Sequence, residues 1–208
     1  MITLPLSVPS PVRLLPQKLM PKRFALAQPG HGMLIAIDAG VEHGDALAAG
    51  AIKGAKLIML DAKKDSIQQI TDAVHRTLAT SVHIVTHGSA GRLHFSSGDL
   101  TLDNLHLYAE QIESWFHYRL FHRHSTMRVQ PHESFLALYA CNLAKDEVGE
   151  MFIENLQHLV GVSVHAAQGK VGSCMQGGSW RLDVSYPFPR EAKFPFTDDL
   201  LETYDAVI

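Results

Sequence analysis

The 208-residue sequence has only two cysteines, no excess of basic residues and no long apolar run. Two cysteines cannot build a disulfide framework, so a reducing compartment is compatible with the chain. The formal net charge of -3 at pH 7 gives no support for nucleic-acid binding. No stretch approaches the roughly 18 apolar residues that a membrane-spanning helix needs, so we expect no membrane span.

Metal-ligand spacing is also missing from the sequence. The 13 histidines are spread along the chain without a Cys-x-x-Cys pair or the His-Glu-x-x-His frame of zinc peptidases. We therefore expect no metal and no cofactor. Most of the histidines are predicted to be surface or packing residues.

Residues 1–30 have a composition unlike the rest of the chain. They hold six of the ten prolines, four basic residues and no acidic residue. The prolines would break a helix or a central strand, and no continuous apolar stretch of a signal peptide is present. We interpret these residues as a proline-rich arm and expect a cytoplasmic location, with secretion without a cleavable signal as the alternative.

The remainder, residues 31–208, alternates apolar runs with helical patterns, which predicts one α/β domain. The sheet is expected to be mainly parallel, with helices on both faces. We predict a hairpin at 92–104, an exposed loop at 122–133 and a loosely packed tail at 186–208. The predicted strands are 33–38, 56–61, 81–86, 134–140 and 162–167, and the predicted helices are 66–78, 105–121 and 147–160, with a short helix or loop at 41–54.

Two of these apolar runs end in residues that carry chemistry. One ends in Thr86-His87-Gly88, and the other ends in Ala140-Cys141. The C-terminal ends of parallel strands share one edge of a sheet, where ligands and catalytic groups gather. A thiol beside an imidazole loses its proton more easily, so the sequence predicts that Cys141 is a reactive thiol whose pKa depends on His87.

Each of these residues also has a plainer interpretation. A single cysteine at the end of a buried strand is usually an inert packing residue. His87 could bond its neighbours in a glycine-containing turn, and Asp38 could cap a helix or close a turn. Cys174, in a glycine-rich loop without a matching histidine motif, is expected to be structural.

The pattern His-Gly, spacer, Ala-Cys resembles the caspase-like cysteine peptidase clan, which includes caspases, legumains, clostripain and gingipains. His87 and Cys141 are 54 residues apart (141 minus 87), near the spacing of about 50 in caspases. In element order the resemblance covers residues 33–185, and it implies a caspase-like three-layer sandwich. Residues 139–143 depart from the caspase Gln-Ala-Cys-x-Gly box, so caspase specificity for aspartate is not implied.

A closer likeness is to an uncharacterised bacterial domain that occurs near the N-terminus of very large secreted adhesins. The shared features are a strand ending in Asp, a Leu-Asp pair, an Asp-x-x-x-Gln-Ile motif, a His-Gly-Ser turn, a Tyr-x-Cys-Asn strand end and a Gly-Gly-x-Trp motif. In this chain they are Asp38, Leu60-Asp61, Asp65 with Gln69-Ile70, residues 86–91, residues 139–144 and residues 177–180.

These resemblances imply a cysteine peptidase-like domain that acts on a peptide or protein, including its own chain. In this hypothesis Cys141 attacks the peptide carbonyl and His87 acts as acid and base. The N–H groups of Gly88 and Cys141 bind the oxyanion, and Asp38 orients His87 or binds a basic substrate side chain. The alternative is a non-catalytic module, either adhesin-associated or a protein-interaction module, that keeps the same fold.

Deletion of residues 1–28 should leave the stability of the remaining chain unchanged. The prolines and the missing apolar period give this arm little surface to bury. Thermal unfolding of the full and the shortened chain checks this expectation. A fall of several degrees in the unfolding midpoint would show that the arm packs as part of the fold.

Overall fold

A computed structural model describes residue 30 and residues 32–121, 134–187 and 191–208. The predicted arm at residues 1–30 therefore lies outside the described residues, apart from Gly30. The predicted loop at 122–133 lies outside them as well.

The described part of the chain contains nine strands and five α-helices. The strands are β1 (Met33–Ile37), β2 (Lys56–Met59), β3 (Ser81–Val85), β4 (His87–Ser89), β5 (Arg92–His94), β6 (Leu100–Thr101), β7 (Phe135–Tyr139), β8 (Ser163–Ala166) and β9 (Val184–Tyr186). The helices are α1 (Gly44–Ala49), α2 (Ser66–Thr77), α3 (Ala109–Phe121), α4 (Asp146–Val160) and α5 (Asp198–Thr203).

Six strands form the central sheet, in the order β2-β1-β3-β7-β8-β9. The first five are parallel and β9 is an antiparallel edge strand. All five predicted strands are confirmed, because continuous apolar runs such as β1 and β3 suit strands that are buried on both faces. The edge strand β9 was not predicted.

Local sequence signals fix the ends of the helices. The Asp65 carboxylate accepts a hydrogen bond of 2.7 Å from the N–H of Gln68 at the start of α2. Gly161 ends α4 with a φ of +67°, a conformation that glycine adopts without strain. The helices predicted at 66–78 and 147–160 are confirmed, and the one predicted at 105–121 begins with a short 3₁₀ turn, Leu105–Tyr108.

Helices cover both faces of the sheet, which makes the domain a three-layer structure. On one face, α2, α3 and α4 pack against alternate strand residues such as Leu34, Val82 and Leu136. On the other face, α1 and α5 pack against the intervening residues such as Ile35 and Tyr139. Among the described residues, no helix is both long and apolar enough to cross a membrane.

The segment after β3 differs from the prediction of a hairpin at 92–104. β4, β5 and β6 form a separate three-stranded antiparallel sheet, and His87 is the first residue of β4. The turn therefore begins five residues earlier than predicted. The reason is that residues 87–89 form a strand of their own directly after β3, and this strand pairs with β5.

The prediction that residues 186–208 pack loosely is wrong. Phe196, Leu200, Tyr204 and Ile208 are all buried in the core on the second face. Burial of such a side chain typically contributes about 1.5–3 kcal/mol to stability. Exposed acidic residues separate these four side chains in the sequence. The tail is nevertheless part of the core, because all four side chains turn towards the sheet.

The second face also contains a pair of fully buried histidines, His83 on β3 and His165 on β8. His83 contacts Ser81 Oγ at 3.3 Å through its Nε2 atom. Burial, together with His165 and Lys193 nearby, lowers the pKa of His83 from 6.5 to about 3. His83 is therefore neutral in the folded protein over the physiological pH range.

Lowering the pH from 7 to 5 should destabilise the fold by about 2 kcal/mol through His83 alone. The unfolded chain takes up a proton near pH 6.5 while folded His83 stays neutral down to about pH 3. Stability is therefore complete above pH 6.5 and decreases as the pH falls below it, by about 1.4 kcal/mol per unit. Urea unfolding at pH 7 and pH 5 measures this difference.

His83→Gln supplies the comparison, since glutamine does not titrate. The loss of stability between pH 7 and pH 5 should be about 2 kcal/mol smaller in this variant than in the wild type. His158→Gln, at an exposed position on α4, is the matched control and should behave like the wild type. An equal pH dependence in all three proteins would contradict the assignment to His83.

Candidate functional site

The C-terminal ends of three neighbouring strands form one edge. Parallel pairing continues one residue beyond β1, where the Asp38 N–H donates to Val85 O at 2.8 Å. It also continues beyond β3, where the Thr86 N–H donates to Tyr139 O at 3.1 Å. The residues that follow β1, β3 and β7 are therefore held side by side.

The two dipeptides singled out in the sequence are in direct contact at this edge. A Cβ placed on Gly88 would lie 2.8 Å from the Cβ of Ala140 and 3.1 Å from the carbonyl oxygen of Cys141. Real Cβ atoms do not approach other atoms so closely in a relaxed structure. Glycine at position 88 therefore lets the His87-Gly88 backbone lie directly against the Ala140-Cys141 backbone.

His87 is held by the loop that follows β1. Its Nε2 atom is 3.1 Å from Gly40 O and 3.2 Å from Glu42 Oε2. Both partners are acceptors, so Nε2 must carry a hydrogen, and in the neutral ring Nδ1 is then the basic nitrogen. Among the described residues, the hydrogen bonds of this imidazole do not include Cys141.

Cys141 is 8% exposed, and its sulfur faces the loop after β8. The Val171 N–H donates to Sγ at 3.2 Å, and the thiol donates to Val171 O at 3.8 Å. Burial raises the pKa of the Cys141 thiol, and the N–H groups of Val171 and Ile208 and the charge of Lys170 only partly oppose this effect. That the Cys141 pKa depends on His87 stays a prediction, and in this structure the hydrogen bonds of His87 go to the loop after β1.

Asp38 closes a turn in this structure. It is 1% exposed, and its carboxylate accepts hydrogen bonds from the N–H of Gly40 and from the N–H and hydroxyl of Ser96, at 2.6–3.1 Å. These contacts correspond to the plainer interpretation of the residue. Its role in orienting His87 or binding substrate stays a prediction, and the carboxylate beside His87 is that of Glu42.

Glu42 and Val171 are the two residues of this site that sequence reasoning missed. Glu42 lies four residues beyond the end of a predicted strand, and Val171 lies in a glycine-rich loop. Neither belongs to a motif, and both reach the site only through tertiary contacts. Cys174, the other cysteine, is exposed in a short 3₁₀ turn, Cys174–Gln176.

A second group of polar side chains crosses the small sheet. Ser89 Oγ is 3.0 Å from His94 Nε2, and His94 Nδ1 is 3.0 Å from Asp99 Oδ1. The order of these groups is that of a nucleophile, a base and a carboxylate. Asp99 also accepts a hydrogen bond of 2.8 Å from Arg92 on the same sheet, so we assign this network to holding the three strands together.

Within residue 30 and residues 32–121, 134–187 and 191–208, no three His, Cys, Asp or Glu side chains are close enough together to hold a metal ion.

Comparison with known proteins relates the chain to a protein family. A family described as "Domain of unknown function (DUF4347)" matches residues 34–208. This range begins at β1 and includes α5 and the residues that follow it. No curated protein and no solved structure matches the chain.

Gly88→Ala should destabilise the domain by about 1–3 kcal/mol, the usual cost of adding a methyl group to a filled space. The added Cβ would have to displace the backbone of Cys141 or the side chain of Ala140. Urea unfolding of the variant and the wild type at one pH measures the loss.

Gly169→Ala is the control for this substitution. A Cβ at Gly169 would meet no atom within 4 Å, so this variant should change stability by less than about 1 kcal/mol. If Gly88→Ala changed stability as little as Gly169→Ala, the two strand ends would be free to separate.

Proposed function

The chain belongs to the DUF4347 family, and we propose that its domain is a caspase-like cysteine peptidase that hydrolyses peptide bonds through Cys141 and His87. The observation that carries the proposal is the contact between the two dipeptides at one edge of the sheet. Gly88 lies against Ala140 and the carbonyl group of Cys141. The backbone that carries the imidazole therefore contacts the backbone that carries the thiol.

Each residue of the edge has a defined step in this mechanism. The Cys141 thiol gives its proton to Nδ1 of His87, and the sulfur bonds to the carbonyl carbon of a peptide. Backbone N–H groups of Gly88 and Cys141 bind the oxyanion, a contribution of about 2.7–4 kcal/mol per donor. Collapse of this intermediate breaks the C–N bond, and His87 returns the proton to the leaving amine.

The second half of the reaction uses water and regenerates the thiol. His87 takes a proton from a water molecule, whose oxygen attacks the thioester carbon. Cleavage of the C–S bond releases the carboxylic acid, and the sulfur takes back its proton. Gly40 O and Glu42 hold the Nε2–H of His87 at 3.1 and 3.2 Å, so the nitrogen that exchanges protons remains Nδ1.

A non-catalytic module, either adhesin-associated or a protein-interaction module, is the second candidate. The observation that favours it is the state of the thiol: Cys141 is buried and its pKa is raised. A buried cysteine with these properties reacts slowly and behaves as a packing residue. The two candidates differ in whether any peptide is cleaved.

Incubation of the protein with a peptide library, with products identified by mass spectrometry, separates the two. We expect cleavage that disappears in Cys141→Ala and falls by about 10²–10⁴-fold in His87→Ala, the usual contribution of a general base. Glu42→Gln should lower the rate less, because glutamine still accepts a hydrogen bond from Nε2.

Cys174→Ala is the matched control, since this cysteine is exposed and lies outside the proposed dyad. It should cleave at the wild-type rate. Equal cleavage by Cys141→Ala would refute the proposal. Absence of cleavage by the wild type would favour the interaction module.

A further inference from the structure

Residues 204–208, hereafter the covering segment, run antiparallel to residues 171–173. Val207 pairs with Gly172 in an antiparallel bridge. The Ser173 N–H donates to Ala206 O at 2.8 Å, and the Ile208 N–H donates to Val171 O at 2.8 Å. The segment is therefore held through its main chain, in the way that a strand is added to the edge of a sheet.

The same edge belongs to the candidate active site. Val171 directs its N–H to the sulfur of Cys141 at 3.2 Å and its carbonyl oxygen to the N–H of Ile208. Ile208 is 2% exposed and shares one apolar cluster with Cys141 and Val171. The covering segment therefore ends in an aliphatic side chain that is buried next to the thiol.

Gly172 makes room for this second backbone. A Cβ at Gly172 would lie 2.5 Å from Ala206 O and 2.9 Å from the Cα of Val207. Its φ of +123° is also one that other residues rarely adopt. The loop after β8 thus has the shape needed for close approach of an extended peptide backbone.

The other end of the covering segment reaches the His87 side of the site. The Tyr204 hydroxyl donates to the Glu42 carbonyl at 2.8 Å, and the Glu42 side chain contacts His87. Tyr204 and Ile208 are buried, whereas Asp205 between them is exposed. Ala206 and Val207 are partly buried, so the segment lies along the protein with both of its ends covered.

We propose that residues 171–173 and the Cys141 strand end form a groove that binds an extended peptide with an aliphatic side chain at the position of Ile208. The covering segment is an intramolecular occupant of this groove, and a peptide from another molecule or another part of a protein enters by displacing it. That the bound peptide is also the substrate rests on the proposed function, whereas the binding itself does not require catalysis.

The labelling rate of Cys141 by iodoacetamide reports whether the groove is covered, with exposed Cys174 as the internal standard. Ile208→Pro removes the N–H that bonds Val171 O, so Cys141 should be labelled about tenfold faster. Val207→Pro is the matched control, because no hydrogen bond of the Val207 N–H is found among the described residues, and it should change the rate less than twofold. Circular dichroism confirms that each variant is folded.

A synthetic peptide with the sequence of residues 202–208, blocked at both ends, then tests the groove directly. Added to Ile208→Pro, it should restore slow labelling of Cys141 without affecting Cys174. A scrambled peptide, and the same peptide with Asp in place of its last Ile, should not protect. Tyr204→Phe, which loses only the bond to Glu42 O, provides a second and milder way to loosen the segment.

Unchanged labelling in both Ile208→Pro and Tyr204→Phe would overturn the inference that the segment covers the thiol. Faster labelling that the peptide does not reverse would overturn the groove. Protection by the peptide without cleavage of any peptide would leave the groove intact and remove the proposed function. Cleavage of library peptides together with unchanged labelling would leave the proposed function intact and remove the groove.

Discussion

The arrangement of the candidate site depends on the parallel pairing of β3 with β7. This pairing continues past the end of β3 through the bond from Thr86 to Tyr139, and it brings Gly88 against Ala140 without room for a side chain. The two strands are far apart in the sequence, so only the sheet places their ends together. The small sheet follows β3 directly and the thiol follows β7 directly. The position of both therefore depends on this pairing.

The sequence was sufficient for the five parallel strands of the central sheet and for α2, α3 and α4 because their signals are local. A continuous apolar run such as β1 can be buried on both sides only within a covered sheet. Asp65 and Gly161 mark helix ends by their own conformational preferences and hydrogen-bonding capacity. The rule that parallel strands end at one edge then placed His87 and Cys141 in the same region.

The remaining features depend on contacts between distant segments, for which the sequence holds no local signal. The residues between Phe196 and Ile208 mix apolar and acidic side chains without a clear period, so their shared burial is visible only once the second face of the sheet exists. Glu42 meets His87 across 45 positions (87 minus 42). The pKa of Cys141 is raised by burial, and burial under a segment more than sixty residues further along the chain cannot be inferred from the residues beside the thiol.

Val171 bonds the Cys141 thiol through both its N–H and its carbonyl oxygen, and the same oxygen also accepts a hydrogen bond from the Ile208 N–H. The protonation state of Cys141 and the occupancy of the groove are therefore thermodynamically linked. If departure of the segment changes the acidity of the sulfur, then ionisation of the sulfur must change the affinity for the segment by the same factor. The thiol is thus both the reacting group of the proposed site and a reporter of what lies in the groove.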